Sequence, residues 1–143
     1  MKKMKKRIVL VITIVMFCMS LIVMVGCGES DNIFTIDERF FVIQVNDIWL
    51  NPARFMGRTI RYEGLFGSEQ FDDEMIFFVA RQTFGCCGND GWVGFEVVLD
   101  GIEPLADDAW VEVTGVLESQ GRRLFLRVTS LVELEERGME FVQ

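Results

Sequence analysis

After Gly57 the hydrophobic period of this chain changes from helical to two, and it keeps that period for most of the remaining sequence. Ile60, Tyr62 and Phe66 alternate with Arg61 and Glu63, which predicts a half-buried strand reaching about Ser68. Gly64 within it suits a bend or bulge. After an acidic turn at Gln70 to Glu74, Met75 to Gln82 reads as a second strand. Trp92 to Leu99 is the third, with Val93, Phe95, Val97 and Leu99 on one face. A loop with a proline and several acids follows at Gly101 to Asp108. Trp110 to Glu118 makes a fourth strand, Ser119 to Arg122 a turn, and Arg123 to Leu134 a fifth. Upstream, Thr35 to Leu50 has helical spacing: Phe41, Val45, Ile48 and Trp49 form an apolar face, and Thr35 or Asp37 supplies the cap. Asn51-Pro52 ends this helix, because proline disfavours helical backbone in the residue before it. The expectation is an all-β domain with an N-terminal helix, built as a five-stranded OB-fold-like barrel. Closure hides the edges that a flat five-stranded sheet would expose. A β-sandwich is the alternative, but it usually needs about seven strands.

The residues ahead of this domain read as an export signal. Lys2, Lys3, Lys5, Lys6 and Arg7 make a cationic start, and Ile8 to Val25 is apolar apart from Thr13, Cys18 and Ser20. Met24-Val-Gly-Cys27 then resembles a bacterial lipobox. That resemblance implies removal of residues 1–26 and acylation of Cys27 as the new first residue. An uncleaved membrane anchor is the other reading, since a run of this length just spans a bilayer. Either way, residues 28–143 face away from the cytoplasm, held at the cell membrane. The division expected is a leader over 1–26, a lipid-anchored tether over 27–34, the barrel over 35–135 and a charged, frayed tail over 136–143.

Every lysine lies within the first six residues. From Cys27 onward nine arginines stand against all twenty-two acids, a net charge of −13. Such a surface repels nucleic-acid phosphates and anionic headgroups, so nucleic acid is excluded as a partner. Asp72-Asp73-Glu74 and Asp107-Asp108 lack the spacing of a dedicated Ca²⁺ loop and read as solvated turns. Core packing is expected of Trp49, Trp92 and Trp110.

With Cys18 in the leader and Cys27 acylated, two thiols remain, and they are neighbours: Cys86 and Cys87, flanked by Gly85 and Gly88 and followed by Asp90. Three fates are open to them. The sulfurs and the Asp90 carboxylate would suit Zn²⁺ or another thiophilic ion, provided the glycines let the backbone turn so that both sulfurs face one way. The chain has no histidine, so a fourth ligand would be water, a backbone oxygen, a carboxylate or a partner's group. Alternatively the pair forms a disulfide. It would be strained, because successive Cα atoms lie about 3.8 Å apart and disulfides prefer about 4.4–6.8 Å. The third fate is plain packing beneath the barrel rim. A catalytic thiol is the weakest option: no imidazole is present to act as base, and Arg81, the nearest basic residue in sequence, is opposed by Asp90. Arg81 is expected instead to pair with a carboxylate and brace the turn.

Asn51-Pro-Ala-Arg-Phe-Met-Gly-Arg-Thr-Ile-Arg-Tyr-Glu-Gly64, Phe78-Val-Ala-Arg81, Cys86-Cys87, Asp90 and Trp110-Val-Glu-Val-Thr-Gly115 resemble the C-terminal domain of the YcgQ-like family of permease-like subunits. The resemblance spans roughly residues 35–135. It implies an OB-like domain outside the membrane, associated with a permease-like integral-membrane protein, with metal handling as a theme. This chain differs by carrying a single lipobox where that family has several membrane helices. The function expected is therefore a non-enzymatic, membrane-anchored accessory or binding protein, with an ion-binding or redox-sensing site at Cys86, Cys87 and Asp90. A protein-interaction module in which the cysteines only lock a turn is the alternative, and an oxidoreductase a more distant one.

Overall fold

The computed structural model describes residues 33–84 and 91–142. Seven strands form one sheet: β1 (Ile33–Thr35), β2 (Thr59–Phe71), β3 (Glu74–Thr83), β4 (Gly91–Val98), β5 (Trp110–Gln120), β6 (Arg123–Glu133) and β7 (Phe141–Val142). Among the described residues there is one α-helix, α1 (Phe41–Leu50), which lies between β1 and β2 with a 3-10 turn on either side. Sheet order is β1-β2-β5-β6-β4-β3-β7, and β2 also pairs with β3, so β2, β5, β6, β4 and β3 close into a five-stranded barrel. Of its contacts only β4–β6 is parallel. This is the OB-like barrel expected, with two short strands added.

Closure depends on β2, which serves two sets of partners. Its first half pairs with β5 from Thr59 to Leu65, and its second half pairs with β3 from Leu65 to Phe71. Beyond the Leu65–Ala80 rung, β2 and β3 part company. Two added strands cover the edges they leave: β1 runs parallel to β2 opposite Thr59 to Arg61, and β7 runs parallel to β3 opposite Gln82 and Thr83. The barrel thus has a seam, filled by a segment from each end of the domain.

Alternation puts Tyr62, Val79, Phe95 and Val113 in the core, each at most 2% exposed. The helix supplies the remaining filling. Phe41, Val45 and Ile48 recur at helical spacing and are fully buried, joining the strand residues in one cluster. Phe41 meets the edge of Tyr62 with ring centres 5.6 Å apart. The Tyr62 hydroxyl donates to the Val79 carbonyl at 2.7 Å, which satisfies the one polar atom that this ring takes inside. Burial raises its pKa, so it stays a neutral donor.

Several boundaries differ from the sequence reading. The helix starts at Phe41, because Ile33–Thr35 finds a partner strand and Asp37 caps the 3-10 turn at Glu38–Phe40, accepting from the Arg39 amide at 2.8 Å. Two residues assigned to the tether, Ile33 and Phe34, therefore belong to the sheet. Part of the expected tail is a strand: β7 lies within residues 136–143, and Val142 is 3% exposed. Apolar burial of Val142 and β3's unpaired edge outweigh the charge of the surrounding residues. The bulge falls in β5, at Thr114/Gly115, and not at Gly64.

Candidate functional site

Cys86, Cys87 and Asp90, with Gly85 and Gly88, lie outside the described residues, as does Cys27. What the structure gives is the frame that carries the cysteine connection. Thr83 on β3 and Gly91 on β4 form the last rung before it. β7 pairs with β3 at that same point, and the Gln82 amide donates to the Glu140 carbonyl at 2.9 Å.

Arg81 sits at the centre of this frame. It follows Phe77 and Val79 on the inward-facing row of β3 and is 2% exposed, the one charged residue among the described ones to be so buried. A buried guanidinium needs partners for its fork of donors. Arg81 finds them in three different segments. Its Nε donates to the Glu63 carbonyl on β2 at 2.7 Å. Its Nη1 donates to the Glu38 carboxylate, just past β1, and to the Met139 carbonyl, just before β7, both at 3.1 Å. The guanidinium carbon also lies 4.8 Å from the Phe41 ring centre and 4.9 Å from that of Trp110, within cation–π range. Arg81 does pair with a carboxylate, as expected, but what it braces is the whole seam.

Glu38 completes the tie by accepting from the Met139 amide at 2.6 Å. That hydrogen bond, with help from Arg81, holds its carboxyl below the usual carboxylate range. Burial works the other way on Arg81 and lowers its pKa, with Glu38 opposing the shift. Gly138 permits the close approach: a Cβ there would stand 2.8 Å from the Glu38 carboxylate and 3.0 Å from the Trp110 ring. Trp110 is 2% exposed, and its Nε1 donates to the Glu63 carboxylate at 3.3 Å.

A pH dependence follows from Glu38. Its folded-state pKa is depressed, so its contribution is complete above the ordinary carboxylate range and is lost as pH falls through it. Glu38→Gln keeps an acceptor for the Met139 amide but removes the charge. The expected result is that the variant is less stable than wild type at neutral pH, and that the gap closes on acidification from about pH 6 to about pH 3. Urea midpoints of both proteins across that range check it; a gap independent of pH refutes it.

Sequence reasoning missed Glu38, Glu63 and Met139 as partners of Arg81. It also placed all three tryptophans in the core, which holds for Trp110 alone. Trp49 is 45% exposed and stacks flat on Phe95, and Trp92 is 53% exposed. The acidic patches are turns, as expected: Asp72 and Asp108 take left-handed backbone, and Asp107 accepts from the Ser68 hydroxyl at 2.8 Å. Among the described residues, no three acidic or cysteine side chains gather to hold a metal ion, and no helix is long and apolar enough to cross a membrane.

The sequence model of the DUF1980 C-terminal domain matches residues 23–138. The chain belongs to this family. The match agrees with the resemblance to the YcgQ-like C-terminal domain, and the DUF1980 domain accounts for β1 to β6, α1 and the segment up to Gly138. No curated protein matches the chain. Met139 and β7 lie just past the matched stretch, so the tie from Glu38 and Arg81 to Met139 joins the DUF1980 barrel to the residues that follow it.

Proposed function

We propose that this DUF1980 domain is a lipid-anchored accessory protein on the outer face of the cell membrane, tethered through acylated Cys27. In this reading Cys86, Cys87 and Asp90 bind a thiophilic ion such as Zn²⁺ beside an integral-membrane, permease-like partner. The observation that carries the proposal is the framing of the cysteine pair. It joins two strand ends that are paired up to the Thr83–Gly91 rung, and Arg81 and β7 fix those ends against the rest of the barrel. Fixed ends restrict a short connection, which lowers the entropy cost of closing it on an ion. Three of the N–H donors of Arg81 are taken by Glu63, Glu38 and Met139, which ties the strand that leads into the cysteine connection to the rest of the seam.

The test is titration of the reduced, full chain with Zn²⁺. Cys86→Ser and Cys87→Ser are each expected to abolish binding, since either removes one of two sulfurs from a site with few ligands. Unchanged binding in both variants would refute the ion-binding reading. The interaction module would then stand, and it has an observation of its own: Phe84, Trp92 and Phe141 are exposed around the cysteine connection. A redox pair is recognised separately, because joining the thiols lowers the intact mass by two hydrogens.

A further inference from the structure

Three aromatic side chains flank the cysteine connection on one face of the sheet. Gln82 is the cross-strand partner of both Trp92 on β4 and Phe141 on β7, so these three residues point the same way. Phe84, two residues past Gln82, stacks on Phe141 with ring centres 5.0 Å apart. Phe84 is 60%, Trp92 53% and Phe141 41% exposed, and the residue between them, Gln82, is uncharged. An apolar strip of this kind on a chain of net charge −13 from Cys27 onward calls for a partner that covers it.

We propose that Phe84, Trp92 and Phe141 seat the domain on the lipid surface to which Cys27 tethers it. The inference rests on the lipid anchor proposed above. Five residues separate Cys27 from Ile33, so the start of β1 lies at most about 22 Å from the acylated residue. Ile33, through its partner Thr59, and Phe84 both lie on the seam side of the Leu65–Ala80 rung, where β2 and β3 are no longer paired. The opposite end of β3, about 30 Å away, is the turn with Asp72, Asp73 and Glu74, which a bilayer would disfavour. Aromatic side chains, tryptophan above all, favour the headgroup level of a membrane. Other exposed apolar residues fit less well: the helical pair Ile43 and Leu50 is interrupted by the Asp47–Arg54 ion pair, and Phe71 adjoins the acidic turn.

The experiment uses full, acylated protein in phosphatidylcholine vesicles whose acyl chains carry bromine, a fluorescence quencher. In Trp49→Phe the exposed indole is Trp92, and its emission is expected to shift to the blue and be quenched. In a second protein, Trp49→Phe/Trp92→Phe/Phe71→Trp, the indole sits at the acidic turn and should escape quenching. Adding Phe84→Ser and Phe141→Ser to the first is expected to lower its quenching several-fold. Equal quenching of the first and second proteins would mean a freely tumbling domain and would overturn the proposal. Shielding of Trp92 in native membranes but not in pure lipid would assign the strip to a protein and overturn it equally. Intact mass separates the two layers of the argument. Absence of acyl chains removes the anchor and the seating together, whereas acylated protein without quenching removes the seating alone.

Discussion

Replacing Arg81 by leucine is expected to lower the stability of the domain by about 3 kcal/mol, the largest loss from any one polar side chain. The reason is what stays behind. The Glu63 and Met139 carbonyls would lose their donor at a part-buried site, and an acceptor left unsatisfied costs on the order of 1–3 kcal/mol. Glu38 would lose its counter-ion but is exposed enough to be hydrated, so its share is small. Leucine restores some apolar contact with Phe41 and Trp110, which keeps the total below the sum of the parts. Arg81→Lys should fall between the two proteins, because a single ammonium cannot reach three segments at once. Urea denaturation gives the magnitude. Hydrogen exchange gives the cause: the Gln82 amide, which donates to Glu140 across β7, should exchange faster in the leucine variant even where the barrel amides do not. A midpoint within about 0.5 kcal/mol of wild type would mean that the seam holds without its tie.

Phe41→Ala is expected to have an effect of the same size, about 3–5 kcal/mol, through a different cause. Phe41 is fully buried where the helix enters the barrel and touches the Tyr62 ring. Its removal leaves a cavity that rigid strands cannot close. It also takes away one of the rings beside Arg81. The two substitutions should therefore not add: in the double variant the loss is expected to be smaller than the summed single losses. Additivity would show that the ring and the guanidinium act independently, and that helix packing and seam closure are separate matters.

The barrel is legible in the sequence because its strands obey one simple rule. Where one face of a strand is buried and the other wet, the alternation of Ile60, Tyr62 and Phe66, or of Phe95 and Val97, writes the fold into the order of residues. The helix is legible for the same reason at a different period. The seam is not, because it is made by segments too short to have a period. Ile33–Thr35 and Phe141–Val142 become strands only because β2 and β3 diverge and leave edges to be covered. One sign was present nonetheless. Arg81 follows Phe77 and Val79 in an inward-facing row, and a charge in such a row requires distant partners. Sequence spacing could not say that these would be Glu38, 43 residues earlier, and Met139, 58 residues later. Trp92 was misread for a related reason: on β4 it occupies the outward row with Glu96, opposite to Phe95 and Val97.

The seam also sets an order in time. Synthesis runs from the N-terminus, so β2 and β3 can meet through their local hairpin while Arg81 still has no Met139 to hold. β4 must wait for β6 to close the ring, and the edge of β3 at Gln82 and Thr83 stays bare until Phe141 and Val142 have emerged. Premature termination between Glu133 and Phe141 would release a chain whose β3 edge is bare at Gln82 and Thr83, a template for joining copies to one another.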